Sequence, residues 1–109
     1  MIISFRSKEL RDDAINEVLG TQSLSPRIFN WLKAILTSLN AASNINDLPS
    51  AIRNRFKFHN ENIVLVGYYN LDLHFKTAHL NTPTANDGTI DWQKVYRLQL
   101  IRIGEIHVG

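Results

Sequence analysis

The chain has 109 residues, 44% of them apolar and 20% charged, with a formal net charge of +2 and no cysteine. That length fits one domain with a real core and not two, so a single domain over residues 1–109 is expected, and the composition excludes a disordered chain. The missing cysteines exclude disulfides, thiolate catalysis and cysteine-rich zinc sites, and the small net charge means that affinity for nucleic acid must come from clustered cations.

In chain order, Met1-Ile2-Ile3-Ser4-Phe5 reads as a short strand, too short an apolar stretch for a signal peptide or a membrane span, so a cytoplasmic protein is expected. Ser7 suits the N-cap of a helix through Leu10, Ala14, Ile15, Val18 and Leu19, which share one stripe, with Gly20 as its C-terminal stop. Ser25-Pro26 is an N-cap followed by proline at the first helical position. Ile28, Leu32, Ile35, Leu36 and Leu39 then recur on one face, widened by Phe29 and Trp31. Residues 41–50, with Asn44, Asn46, Asp47 and Pro49, read as helix end and linker, after which the apolar period changes from about 3.6 to 2.

The segment from Arg53 to His59 places Arg53, Arg55, Lys57 and His59 on every second residue, with Phe56 and Phe58 in two of the gaps. As a strand over residues 52–59 it carries its cations on one face, which suits an extended anionic partner such as a polyphosphate chain; a merely solvated face is the plainer reading. Residues 63–66 make a neighbouring strand ending at Gly67. Leu71, Leu73 and Phe75 then alternate with Asp72, His74 and Lys76, continuing a pattern that begins at Tyr68, Tyr69 and Asn70. Residues 77–86 with Pro83, followed by Asp87-Gly88, signal a long loop or hairpin tip. Tyr96, Leu98 and Leu100 alternate with Arg97 and Gln99, and residues 103–108 give another short extended stretch.

The sum is an α+β fold, an N-terminal strand and a two-helix hairpin packed on one face of a twisted antiparallel sheet. The helices are expected to cover Phe56, Phe58, Leu71, Leu73, Leu98 and Leu100. The opposite face would gather Arg53, Arg55, Lys57, His59, Asn70, Asp72, His74, Arg97 and Gln99. On that face Arg97 has a plain structural alternative, an ion pair with Asp72. Tyr68, which shares parity with His74, is the tyrosine placed to stack a base. His74 and His79 do not have the spacing of a zinc site, so no metal is expected.

The order of motifs resembles the HigB-type toxins of bacterial toxin–antitoxin pairs, a branch of the RelE/ParE superfamily. MIISFRSKEL is similar to their opening strand and helix start, and LKAILTSLNAASNINDLP to their second helix and linker. FKFH, with GYYNLDL beyond it, is similar to the family's Tyr-Lys-Leu-His followed by Gly-Tyr-Trp and an alternating strand. The likeness covers roughly the first 75 residues. Beyond them Tyr96-Arg97-Leu98-Gln99-Leu100 matches a later family strand across an insertion of about twenty residues, Glu105-Ile106-His107 stands where the family has an acidic-Tyr-His tail, and Asn62 replaces a common lysine.

The resemblance implies a RelE/ParE-like fold and a cytoplasmic, ribosome-associated mRNA endoribonuclease. A helix-turn-helix antitoxin would silence it, and neither membrane nor cofactor is involved. Cleavage through the RNA 2′-hydroxyl needs a proton acceptor, a proton donor for the leaving oxygen and cations for the charge developing on phosphorus. His59, Arg97 and His107 are the catalytic candidates, the imidazoles for proton transfer and the guanidinium for bidentate phosphate binding; Arg53, Arg55, Lys57, Tyr68 and His74 are the RNA-binding ones. Two alternatives stay open: a non-enzymatic member of the superfamily that binds a protein target, and an unrelated small interaction module.

Overall fold

A computed structural model describes residues 1–59, 61–67 and 71–105. Tyr68, Tyr69, Asn70 and His107, and with them the stacking tyrosine and one catalytic candidate, lie outside the described residues.

Strand β1 (Ile2–Phe5) leads into helix α1 (Lys8–Ile15), which starts as expected: the Ser7 side chain accepts from the Leu10 amide at 3.0 Å. The helix does not run on to Leu19. Asn16 leaves helical geometry at φ −86°, ψ 115°, donates its amide to the Asp12 carbonyl, and accepts from the Val18 and Leu19 amides, so one residue closes α1 and opens α2 (Glu17–Ser23). An asparagine side chain competes well for backbone donors, and here it wins over a continuous apolar stripe. Ile15, Val18 and Leu19 are left exposed. Gly20, expected as a stop, is instead buried within α2, where an added Cβ would lie 2.5 Å from the Phe29 ring and 2.7 Å from the Asp13 carbonyl.

Helix α3 (Pro26–Ala41) is capped by Ser25, whose side chain accepts from the Ile28 amide, and it buries Phe29, Leu32, Ile35, Leu36 and Leu39. Its final carbonyls, of Leu39, Asn40 and Ala42, accept from the α-amino group of Met1, a cation at the negative end of the helix dipole.

After a 3-10 turn at Ile45–Asp47, the chain makes one helical turn, α4 (Ser50–Arg53), where a strand was expected. The Pro49 carbonyl accepts from both Ile52 and Arg53, and proline's fixed φ favours a helix start. Arg53 therefore leaves the cation row: its guanidinium donates to the Asn46 carbonyl at 3.1 Å. Strand β2 (Phe56–Phe58) is only the second half of the expected strand.

Strands β3 (Asn62–Val66), β4 (Leu71–Thr77) and β5 (Arg97–Glu105) complete a five-stranded sheet of order β1-β5-β4-β3-β2. The sheet is mixed and not purely antiparallel, because β1 runs parallel to β5 while the other neighbours are antiparallel. The helical segment between β1 and the rest of the sheet provides the crossover that a parallel pair requires. One face meets the helices: Phe56, Ile63, Leu65, Leu73, Phe75, Leu98 and Leu100 share a buried cluster with Leu32, Leu36 and Leu39. Phe58 does not join it. At 51% exposed, its ring packs against Trp92 instead.

Between β4 and β5 the chain folds back as a small excursion. Thr84 bridges Ile90 around a turn in which Gly88 takes φ 85° and Asp87 accepts from the Thr89 hydroxyl and amide. The expected hairpin tip at Asp87-Gly88 is present. Those bonds, the hydroxyl's first, hold the Asp87 carboxyl below its usual range. A 3-10 turn at Trp92–Lys94 and the fully buried Val95 fasten the excursion to the core. No helix among the described residues is long and apolar enough to cross a membrane.

Candidate nucleic-acid interface

The face of the sheet turned away from the helices is open, and strand register fixes which side chains lie abreast on it. Arg55 bonds Val66 through its backbone and guanidinium, and Val66 opposes Asp72, which opposes Gly104. In the next row Lys57 opposes Val64, Val64 opposes His74, and His74 opposes Arg102. Beyond it come Asn62, Lys76, Gln99 and Ser4, with the His59 amide donating to the Asn62 carbonyl at the hairpin end. A last row holds Ala78, Arg97 and Ile2. Neighbours across strands are about 5 Å apart and successive rows about 7 Å.

Cations therefore spread over most of an exposed surface. Lys57, Lys76, Arg97 and Arg102 are exposed, while Arg55 and His74 are half-buried. Asp72 sits among them but is only 8% exposed, and its carboxylate accepts from the Gly67 amide at 3.3 Å. It does not pair with Arg97, from which register separates it by three rows, about 20 Å.

On this face Arg102 meets His74, Nη2 to Nε2 at 3.0 Å. A guanidinium can only donate, so Nε2 accepts and the neutral imidazole carries its proton on Nδ1. Sequence parity did not point to Arg102, which shares even numbering with the buried Leu98 and Leu100. A β-bulge decides its face: register slips between His74 and Phe75, so that Ile101 is skipped and Arg102 comes abreast of His74. The signal available in the sequence was the change of apolar phase from Leu98 and Leu100 to Ile101 and Ile103.

Of the expected site residues, Arg55, Lys57, His59, His74 and Arg97 share this side of the sheet by register, and Arg53 does not. They do not converge on one point. His59 lies at the β2 edge and Arg97 on β5, three strands and one row away, about 16 Å. Arg97 instead packs over the Tyr96 ring at 5.6 Å. Beside it His79, half-buried, accepts at Nε2 from the Tyr96 and Arg97 amides at 3.1 and 3.3 Å and meets the Tyr96 ring edge-on. Partial burial, then the neighbouring Arg97 charge, lowers the His79 pKa below 6.5. Among the described residues no group of three or more His, Asp or Glu side chains is placed to hold a metal ion.

The fold and this surface together define a small α+β protein whose mixed sheet is covered by helices on one side and presents an open cationic face on the other. Compared with known protein families, characterised proteins and solved structures, the chain matches none.

Proposed function

We propose that the chain is a toxin of the HigB-like kind, which binds single-stranded mRNA on the ribosome across the open sheet face and cuts it without a metal. A helix-turn-helix antitoxin would silence it by covering the same cations. The observation that carries the reading is the row Lys57–Val64–His74–Arg102, in which a neutral imidazole with an accepting Nε2 is hydrogen-bonded to a guanidinium and has a lysine two strands away.

On this reading a phosphodiester settles over the row. Arg102 turns from His74 to the phosphate oxygens, with which its fork matches bidentately, and Lys57 adds a point charge. His74 Nε2, no longer accepting from Arg102, takes the proton of the 2′-hydroxyl. The 2′-oxygen attacks phosphorus, a 2′,3′-cyclic phosphate forms, and the 5′-oxygen leaves with a proton from water at this open site.

A second reading, a non-enzymatic member that binds a protein target without cleavage, is favoured by the separation of His59 from Arg97. Expression without a partner distinguishes them. Growth arrest with cut ribosome-bound mRNA, both relieved by His74→Ala or Arg102→Ala, supports the nuclease; arrest with intact mRNA overturns it in favour of the second reading, and no arrest from a verified folded product overturns both.

A further inference from the structure

Beside the row of Lys76, the β2–β3 hairpin and the excursion between β4 and β5 enclose a cleft of about 750 Å³, bordered by Phe58, His59, Glu61, Asn62, Lys76 and Trp92. Its size falls inside the ~300–1,000 Å³ typical of small-ligand sites. One wall is aromatic: the Phe58 and Trp92 rings stand 5.5 Å apart and tilted by 58°. Phe58 is half exposed although its neighbour two residues back, Phe56, is buried in the core. The exposed part of the ring leaves apolar area in water that a bound group could cover, and a flat one could stack on it. The other wall is polar, since Lys76 and Asn62 oppose each other across β4 and β3, and His59 bonds Asn62 through its backbone.

A lipid tail would satisfy the rings but strand the lysine and amide without partners, and a bare phosphate would leave the rings wet. A flat heteroaromatic ring carrying an anionic group answers both walls. Glu61 also lines the cleft, and its carboxylate is an acceptor that an exocyclic amine of a base could use. We propose that the cleft is a nucleotide subsite, in which one unstacked base lies against Phe58 and Trp92 while its phosphate meets Lys76 and His59. That the nucleotide belongs to an RNA strand rests on the function proposed above; because the Lys76 row adjoins the His74–Arg102 row, the base would then be one beside the scissile phosphate.

The test titrates the full chain with adenosine 5′-monophosphate, followed by calorimetry, and with a hexanucleotide RNA carrying 2-aminopurine, followed by anisotropy and 2-aminopurine fluorescence. Expected are binding of both ligands, quenching of the fluorophore by stacking, and an affinity about tenfold weaker in Phe58→Ala with the quenching lost. Lys76→Ala weakens both ligands and keeps the quenching of what remains bound. Arg102→Ala weakens the RNA alone. RNA bound without quenching, and indifferent to Phe58→Ala, overturns the subsite while leaving the sheet-face reading intact. Mononucleotide bound with no RNA binding supports the subsite and sinks that reading, and no binding of either overturns both. Should Phe58→Ala fail to fold by circular dichroism, the Trp92 indole N–H resonance of the unaltered chain, assigned with Trp92→Phe, decides: a shift on adding the mononucleotide supports the subsite, and its constancy overturns it.

Discussion

Leu73 and His74 are consecutive on β4, yet Leu73 is fully buried beneath the helices and His74 lies half-buried on the open side facing Arg102. The same division recurs on β5, where Leu98 and Leu100 are fully buried and Arg97 and Arg102 are exposed. The inner face is held by close packing, where each methylene has partners on all sides, whereas the outer face is held mainly by backbone ladders beneath long side chains with room to move. Substitutions on the first should therefore change stability, and on the second they should change binding.

The largest effect is expected at Phe75, which is fully buried and faces Phe56 at 6.4 Å between ring centroids. Phe75→Ala should cost about 3–5 kcal/mol in a urea titration. A cost below about 1 kcal/mol would mean that this face is not the close-packed one. Next comes Gly20→Ala, whose new methyl meets the Phe29 ring and a backbone carbonyl that cannot rotate away. Overpacking of this kind should cost about 1–3 kcal/mol, read from the thermal midpoint.

On the outer face Arg102→Ala should leave stability within about 0.5 kcal/mol while weakening RNA binding and flattening its salt dependence by about one unit of slope. Equal losses in a melting curve and in an RNA titration would erase the distinction between the two faces. The smallest effect lies at their border, in the His79 clamp. Its folded pKa is depressed below the ordinary 6.5, so the stabilisation is fully present above about pH 6.5 and is lost as the pH falls through the folded value, when the imidazole can no longer accept from the Tyr96 and Arg97 amides. The thermal midpoint should fall modestly between pH 7.5 and 5. His79→Gln, whose amide oxygen accepts at any pH, should flatten that slope, and an unchanged slope would reject the clamp.

Much of the inner face was legible because burial imposes periods that composition displays. Ser25-Pro26 and the spacing of Leu32, Leu36 and Leu39 fix α3 without reference to anything outside it, and alternation from Leu71 to Lys76 fixes which side of β4 is core. The errors have local physical causes. Asn16 diverts two amides to its own side chain and splits a helix; Pro49 starts a helical turn that carries Arg53 away from the sheet; Phe58 keeps strand parity but lies where a later segment, and not the core, reaches it. The outer face was harder to read, because no burial constrains it and its membership depends on register.

The sequence by itself determined the layering: an α+β chain whose Pro26–Ala41 helix and whose alternating Leu71–Lys76 strand can be read directly, since backbone periodicity and the exclusion of apolar surface from water act within short windows. Only the tertiary structure decided that β1 lies parallel to β5, that a bulge brings Arg102 abreast of His74, and that Trp92 closes a cleft beside Phe58. Those contacts join residues far apart in the chain, and a one-residue slip in pairing, invisible to any local pattern, moves a side chain to the other face.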